Sequence, residues 1–110
     1  MAPLTLETRT EGKAAVIALT GELDIAGAQA LEQELAAVEA DAAVLDLRGL
    51  EFMDSSGLRA IVVCAQRAQD AGRRFALIAG AAQVMRVFDI TRMRERLQFV
   101  ADPREVISGT

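Results

Sequence analysis

Phe52-Met53-Asp54-Ser55-Ser56-Gly57-Leu58 joins two stretches of opposite periodicity. Before it, Ala43-Val44-Leu45-Asp46-Leu47 is a short apolar run of the kind that forms a buried strand. After it, Leu58, Ile61, Val62 and Ala65 recur at helical spacing. Two adjacent hydroxyls and a glycine therefore stand where a strand feeds the N-terminus of a helix. Backbone N–H groups are unpaired at such a point and the helix dipole is positive. A hydroxyl there can cap the helix, act as a nucleophile or carry a phosphate.

Working outward, the rest of the chain alternates strands with helices. Thr5 to Thr10 reads as an edge strand and Glu11-Gly12-Lys13 as a hairpin turn. Ala14 to Leu19 is a continuous apolar run, expected as a central strand covered on both faces and broken by Gly21-Glu22-Leu23-Asp24. Asp24 is a candidate N-cap for a helix over 25–39, whose apolar face is Ala28, Leu31, Leu35 and Val38. The strand 43–47 follows, then Arg48-Gly49-Leu50-Glu51 as a loop. The central helix is expected over 55–71, ended by Gly72, with a buried strand over 75–79 behind it. Val84, Val87 and Phe88 mark a short amphipathic helix. Leu97 to Val100 reads as a last edge strand. Asp102-Pro103-Arg104-Glu105 resembles a capping box opening a final short helix. The sum is an α/β fold, one domain over 1–110, with a mixed, mainly parallel sheet of four to five strands and about four helices packed on it.

Composition excludes several functions. The chain has no histidine, which removes Ser-His-Asp catalysis and the usual zinc ligand sets. A nucleophile elbow needs Gly-x-Ser-x-Gly, but Met53 stands two residues before Ser55. Lys13, the one lysine, lies far upstream, so a serine–lysine pair is not expected either. Neither glycine-rich phosphate loop is present, and no cofactor is expected. Asp24, Asp46 and Asp54 could gather at strand ends around a metal, but carboxylates so placed are more often caps and loop anchors. A net charge of −4 and an aromatic content of 4% argue against binding nucleic acid. The single cysteine, Cys64, permits no internal disulfide and suits a reducing cytoplasm. No secretory signal and no membrane-length apolar run is visible.

The serine stretch closely resembles the signature of the bacterial anti-sigma factor antagonists, a STAS-domain family. Leu19-Thr20-Gly21-Glu22-Leu23-Asp24, Val44-Leu45-Asp46-Leu47 and Val87-Phe88-Asp89-Ile90-Thr91 resemble three further family segments, in the same order. The resemblance implies a STAS fold and a switch rather than an enzyme. In such a switch the unmodified antagonist binds an anti-sigma factor that is also a serine kinase, and a sigma factor is released. The kinase then phosphorylates the first serine after the motif aspartate, here Ser55, and binding ends. A metal-dependent serine phosphatase resets it; ATP and magnesium belong to the partners. The implied setting is transcription regulation in stress response or sporulation, by a cytoplasmic monomer or weak dimer. Asp24, Asp54, Ser55, Ser56, Gly57, Leu58 and Arg59 are the implied partner-binding residues. Within that scheme Ser56 is expected to cap the helix, and Gly57 to let the partner approach the backbone closely. Two positions depart from the pattern: Arg59 and Arg92 stand where many relatives have glycine. The same fold and part of the serine motif also occur in STAS regulatory subunits of transporters and lipid-transport ATPases, which is the alternative reading.

Overall fold

The computed structural model describes residues 2–108, with side-chain surroundings through residue 106. In chain order the elements are β1 (Thr5–Glu11), β2 (Ala14–Leu23), α1 (Ile25–Ala36), β3 (Ala42–Met53), α2 (Ser55–Asp70), β4 (Arg74–Ile78), α3 (Ala82–Ile90), a single 3-10 turn (Met93–Glu95) and α4 (Glu105–Ser108). The sheet order is β1-β2-β3-β4. β1 runs antiparallel to β2 through the turn at Gly12, where φ is +61°. β2, β3 and β4 are parallel, joined by α1 and α2 as crossovers. This is the mixed, mainly parallel sheet expected from the alternation of periods. Phe99 adds only an isolated parallel bridge to Leu77, so the expected last strand shrinks to one pairing.

Both faces of β2 and β3 are buried, which is why their sequences read as unbroken apolar runs rather than as alternation. On one face Ile17, Leu19, Leu45, Leu47 and Leu77 pack under α1, α2 and α3 through Leu31, Leu35, Ile61, Val84 and Phe88. On the other, Val16, Val44, Ala76 and Ile78 lie beneath Val100 and Val106 from the C-terminal segment. Truncating one of these buried Leu or Ile side chains to alanine removes about 2–5 kcal/mol, enough to threaten a domain of this size.

Three boundaries differ from expectation, each for a local reason. α1 stops at Ala36, not Glu39. Its end tightens, with the Ala37 N–H shared between the Gln33 and Glu34 carbonyls and the Val38 N–H on that of Leu35. Arg73 then donates to the carbonyls of Val38 (2.6 Å) and Ala40 (3.0 Å), satisfying the chain as it leaves the helix. Val38 stays buried without being helical, so the apolar period outlasts the helix.

β2 does not break at Gly21 but runs on to Leu23. Gly21 has φ +93°, and a Cβ there would lie 2.3 Å from the Pro3 carbonyl oxygen. The N-terminal segment crosses at this point, its Ala2 carbonyl accepting from the Glu22 N–H.

The expected loop 48–51 is the second half of β3. Two bulges lie in it. Between Asp46 and Gly49 this strand advances three residues while β2 advances two, and between Leu50 and Phe52 it advances two against one. Leu47, Leu50 and Met53 therefore reach the core at a spacing of three, a pattern neither strand nor helix. The bulged Arg48 N–H is taken by the Asp46 carboxylate at 3.0 Å, and a Cβ at Gly49 would meet the Leu19 carbonyl oxygen at 2.8 Å.

The C-terminal capping box forms. The Glu105 carboxylate accepts from the Asp102 N–H (2.9 Å), and the Asp102 carboxylate accepts from the Arg104 N–H (2.9 Å).

Candidate functional site

The carboxyl ends of β2 and β3 lie side by side, with Leu23 paired to Met53. From each end one helix starts, α1 and α2, so two electropositive helix tips share one edge of the domain. Each tip is capped by an aspartate. The Asp24 carboxylate accepts from the Ala26 N–H at 3.0 Å. Asp54, in extended backbone (φ −107°, ψ −172°), accepts from the Gly57 N–H at 3.0 Å, while its carbonyl takes the Leu58 N–H at 3.0 Å. Such a cap is worth about 1 kcal/mol.

This settles which residue caps α2. Ser56 was the expected cap, but it is the second helical residue and only half-buried. A cap must precede the first helical residue with non-helical backbone, and Asp54 does. Ser55 is the first helical residue and is exposed. Among the described residues neither serine hydroxyl makes a hydrogen bond. Ser55 thus presents an unengaged hydroxyl at the tip of a sixteen-residue helix.

Gly57 and Leu58, expected at the partner surface, are both buried. A Cβ on Gly57 would lie 2.4 Å from the Leu23 carbonyl oxygen and 2.7 Å from Met53 Cγ. The room this glycine leaves is filled by the protein's own β2, so its role is to seat α2 against the strand ends. Of the expected set, Asp24, Asp54 and Ser56 are half-buried, and Ser55 and Arg59 are exposed.

Two apolar side chains that sequence reasoning did not single out share this edge. Ile25, the first residue of α1, is 78% exposed, and Phe52, paired in register with Glu22, is 47% exposed. Ile25 lies one turn before Ala28 at the margin of the apolar stripe, in the helix's first turn. Phe52 follows the second bulge. Around them the charge is mostly negative: Glu22, Asp24, Glu51 and Asp54 against Arg59.

The three aspartates considered for a metal are engaged separately. Asp24 and Asp54 cap helices, and Asp46, buried on the sheet's second face, holds Arg48 by two side-chain bonds of 3.0 and 2.8 Å. Burial pushes the Asp46 carboxyl upward. The hydrogen bonds from Arg48 and the charges of Arg48 and Arg9 outweigh it and leave the carboxyl below its ordinary value. Among the described residues no group of three or more Cys, Asp or Glu gathers as a metal site would need. Cys64 is fully buried under α1. Burial first, and the Glu32 charge second, push its thiol up to about 12, so it is an inert core side chain.

The architecture is thus a four-stranded mixed sheet with two aspartate-capped helices rising from adjacent strand ends. The chain belongs to the family described as "Mlab, STAS domain", whose profile matches residues 6–100. Among solved structures, it is similar to an anti-sigma factor antagonist from Mycobacterium paratuberculosis: 23% identity over 97% of this chain and 93% of that one, TM-score 0.82. It is also similar to the unphosphorylated form of the anti-sigma factor antagonist SpoIIAA of Bacillus: 18% identity, 96% and 98% covered, TM-score 0.76. A sulfate transporter family protein from Wolinella succinogenes shares 13% identity over 91% and 84%, TM-score 0.74. At these identities the likeness establishes the fold.

Proposed function

We propose that this chain is an anti-sigma factor antagonist of the partner-switching kind, not an enzyme. Its unmodified edge, formed by Asp24, Ile25, Phe52, Asp54, Ser55 and Arg59, docks an anti-sigma factor with serine kinase activity, and a sigma factor is released. That kinase phosphorylates Ser55, docking ends, and a metal-dependent serine phosphatase restores the first state. The setting is the bacterial cytoplasm.

One observation carries the reading: Asp54 does the capping, so the exposed Ser55 hydroxyl has no structural duty. The surroundings support it. Two exposed apolar side chains on a mainly acidic edge suit a partner with an apolar, basic contact surface. A phosphoserine adds about −1.5 to −2 charges and three acceptor oxygens. The helix tip tolerates that charge, but a docked surface that would have to bury it does not. The penalty is on the order of several kcal/mol, or about two to three decades of affinity.

The test is incubation with candidate anti-sigma kinases and ATP, then mass mapping. One added phosphate on Ser55 is expected; label appearing only elsewhere overturns the assignment. Ser55→Ala should keep binding and Ser55→Glu should bind weakly, whereas equal affinities would defeat the charge mechanism. The likeness to a sulfate transporter family protein favours a second reading, a regulatory subunit on a transport assembly. Recovery of a permease or transport ATPase in place of a kinase-like partner would decide for it.

A further inference from the structure

Arg59 is exposed on α2, four residues beyond Ser55. Residues at this spacing share one face of a helix, about 5–6 Å apart at Cβ. Helical side chains lean toward the N-terminus, so an arginine at position 59 can reach back over the first turn. Its neighbours on that face are Ser55 and Ser56 on one side and Val62 and Val63 on the other, none of them acidic. Among the described residues no ion pair or hydrogen bond engages it. The next cation on the helix differs: Arg67 is held by Glu32 of α1 at 3.3 Å. The carboxylates near the tip have other duties, with Asp54 on the Gly57 N–H and Asp24 on that of Ala26. Glu22 and Glu51, on the strand ends, complete the charged surroundings.

We infer that Arg59 is a built-in counter-ion for a phosphate on Ser55. The inference rests on the phosphorylation reading above and deepens it. Phosphorylation would place an acidic group four residues N-terminal to an arginine, the favoured order for a helical ion pair. The guanidinium fork matches phosphate oxygens geometrically. The group faces the tip of α2 and the acidic edge, where Asp54 and Asp24 repel it and Arg59 is the cation on its own helix face. The pair would hold the phosphate against the helix and bring the charge presented outward from about −2 toward about −1.

The test needs no kinase. Phosphoserine is installed at position 55 by codon reassignment in the full chain, with arginine, glutamine or lysine at position 59. Phosphorus NMR then follows the second phosphate ionisation, ordinarily near pH 6. The Arg59 protein should ionise about 0.2 to 0.4 pH unit below Arg59→Gln, with Arg59→Lys between them. The gap should shrink in about 1 M salt. Superimposable titrations of the arginine and glutamine proteins overturn the inference. A missing kinase would sink the switch reading and leave this result standing; identical titrations would sink the pair and leave the switch.

Discussion

Gly27 and Gly57 occupy the same place in two helices: each is the third residue, following Asp24-Ile25-Ala26 and Asp54-Ser55-Ser56. Helix propensity alone favours alanine at both by up to about 1 kcal/mol. What each Cβ would meet differs. At Gly27 the close atoms belong to the Leu4 side chain: Cδ2 at 2.8 Å, which rotation of that partly exposed leucine can move, and Cβ at 3.1 Å, which needs the N-terminal segment to give by a few tenths of an ångström. At Gly57 the nearest atom is the Leu23 carbonyl oxygen at 2.4 Å, backbone of β2 where it pairs with Met53 of β3. Relief there requires α2 to shift, and with a backbone oxygen at 2.4 Å the overpacking strain falls in the upper part of the usual range, about 2–3 kcal/mol. Subtracting the propensity gain leaves Gly57→Ala less stable by about 1–2 kcal/mol, a fall in melting temperature of roughly 4–10 °C. Gly27→Ala should match the wild type or exceed it by a few tenths of a kcal/mol. Thermal melts by circular dichroism and urea midpoints with unchanged slope measure both. Gly57→Ala as stable as the parent, or Gly27→Ala as damaged as Gly57→Ala, would refute the view that this glycine seats α2 on its own sheet.

Two further outcomes follow from the electrostatics and the backbone. Asp46 and Asp102 have folded ionisations below the ordinary carboxyl value of 3.8; the Arg104 side-chain hydrogen bond chiefly holds Asp102 at about 2. Such groups contribute stability above the unfolded value and lose it as pH falls through the folded one, so urea midpoints should drop between about pH 4 and pH 2. Asp46→Asn should flatten part of that fall, and an unchanged acid limb in this variant would exclude Asp46 as a contributor. Arg92 holds φ +62° before the 3-10 turn, a left-handed conformation costing a side-chain-bearing residue about 1–2 kcal/mol. Glycine relieves this but adds unfolded-state entropy, so Arg92→Gly should gain about 0.5 kcal/mol net, and a lower melting temperature would contradict that balance.

Legibility in the sequence depended on how local the controlling contacts are. The apolar runs Ala14–Leu19 and Ala43–Leu47 marked strands because burial on both faces writes itself into consecutive residues. The α2 pattern and Gly72, with φ +70° just past the helix, marked that helix within a residue at its C-terminal end. The Asp102 capping box was visible because all its partners lie within four residues. What could not be read was set by remote chain. Gly21 looks like a strand breaker, but it is there because Pro3 crosses it. The end of α1 is drawn by Arg73, more than thirty positions away. Ser55 is legible as the exposed hydroxyl of the motif; which neighbour caps the helix is not, because aspartate and serine cap almost equally well.

Most of these departures cluster at one edge. Gly21, the two bulges of β3, the cap at Asp54 and the buried Gly57 all lie within the strand ends and first turns that display Ser55. Gly21, the bulges and Gly57 each break a local rule: a glycine inside a strand, a three-residue spacing of core side chains, a glycine inside a helix. Regular strands would have carried the alternation of Leu45 and Leu47 on through residues 49, 51 and 53, turning Glu51 inward and Leu50 outward. The two bulges instead bring Leu50 to the core, keep Met53 there and leave Glu51 and Phe52 outside. Gly57 then lets α2 start hard against Leu23. Rule-breaking concentrated at these strand ends, with the far half of the sheet regular, is the distribution expected if this edge is the binding surface proposed above.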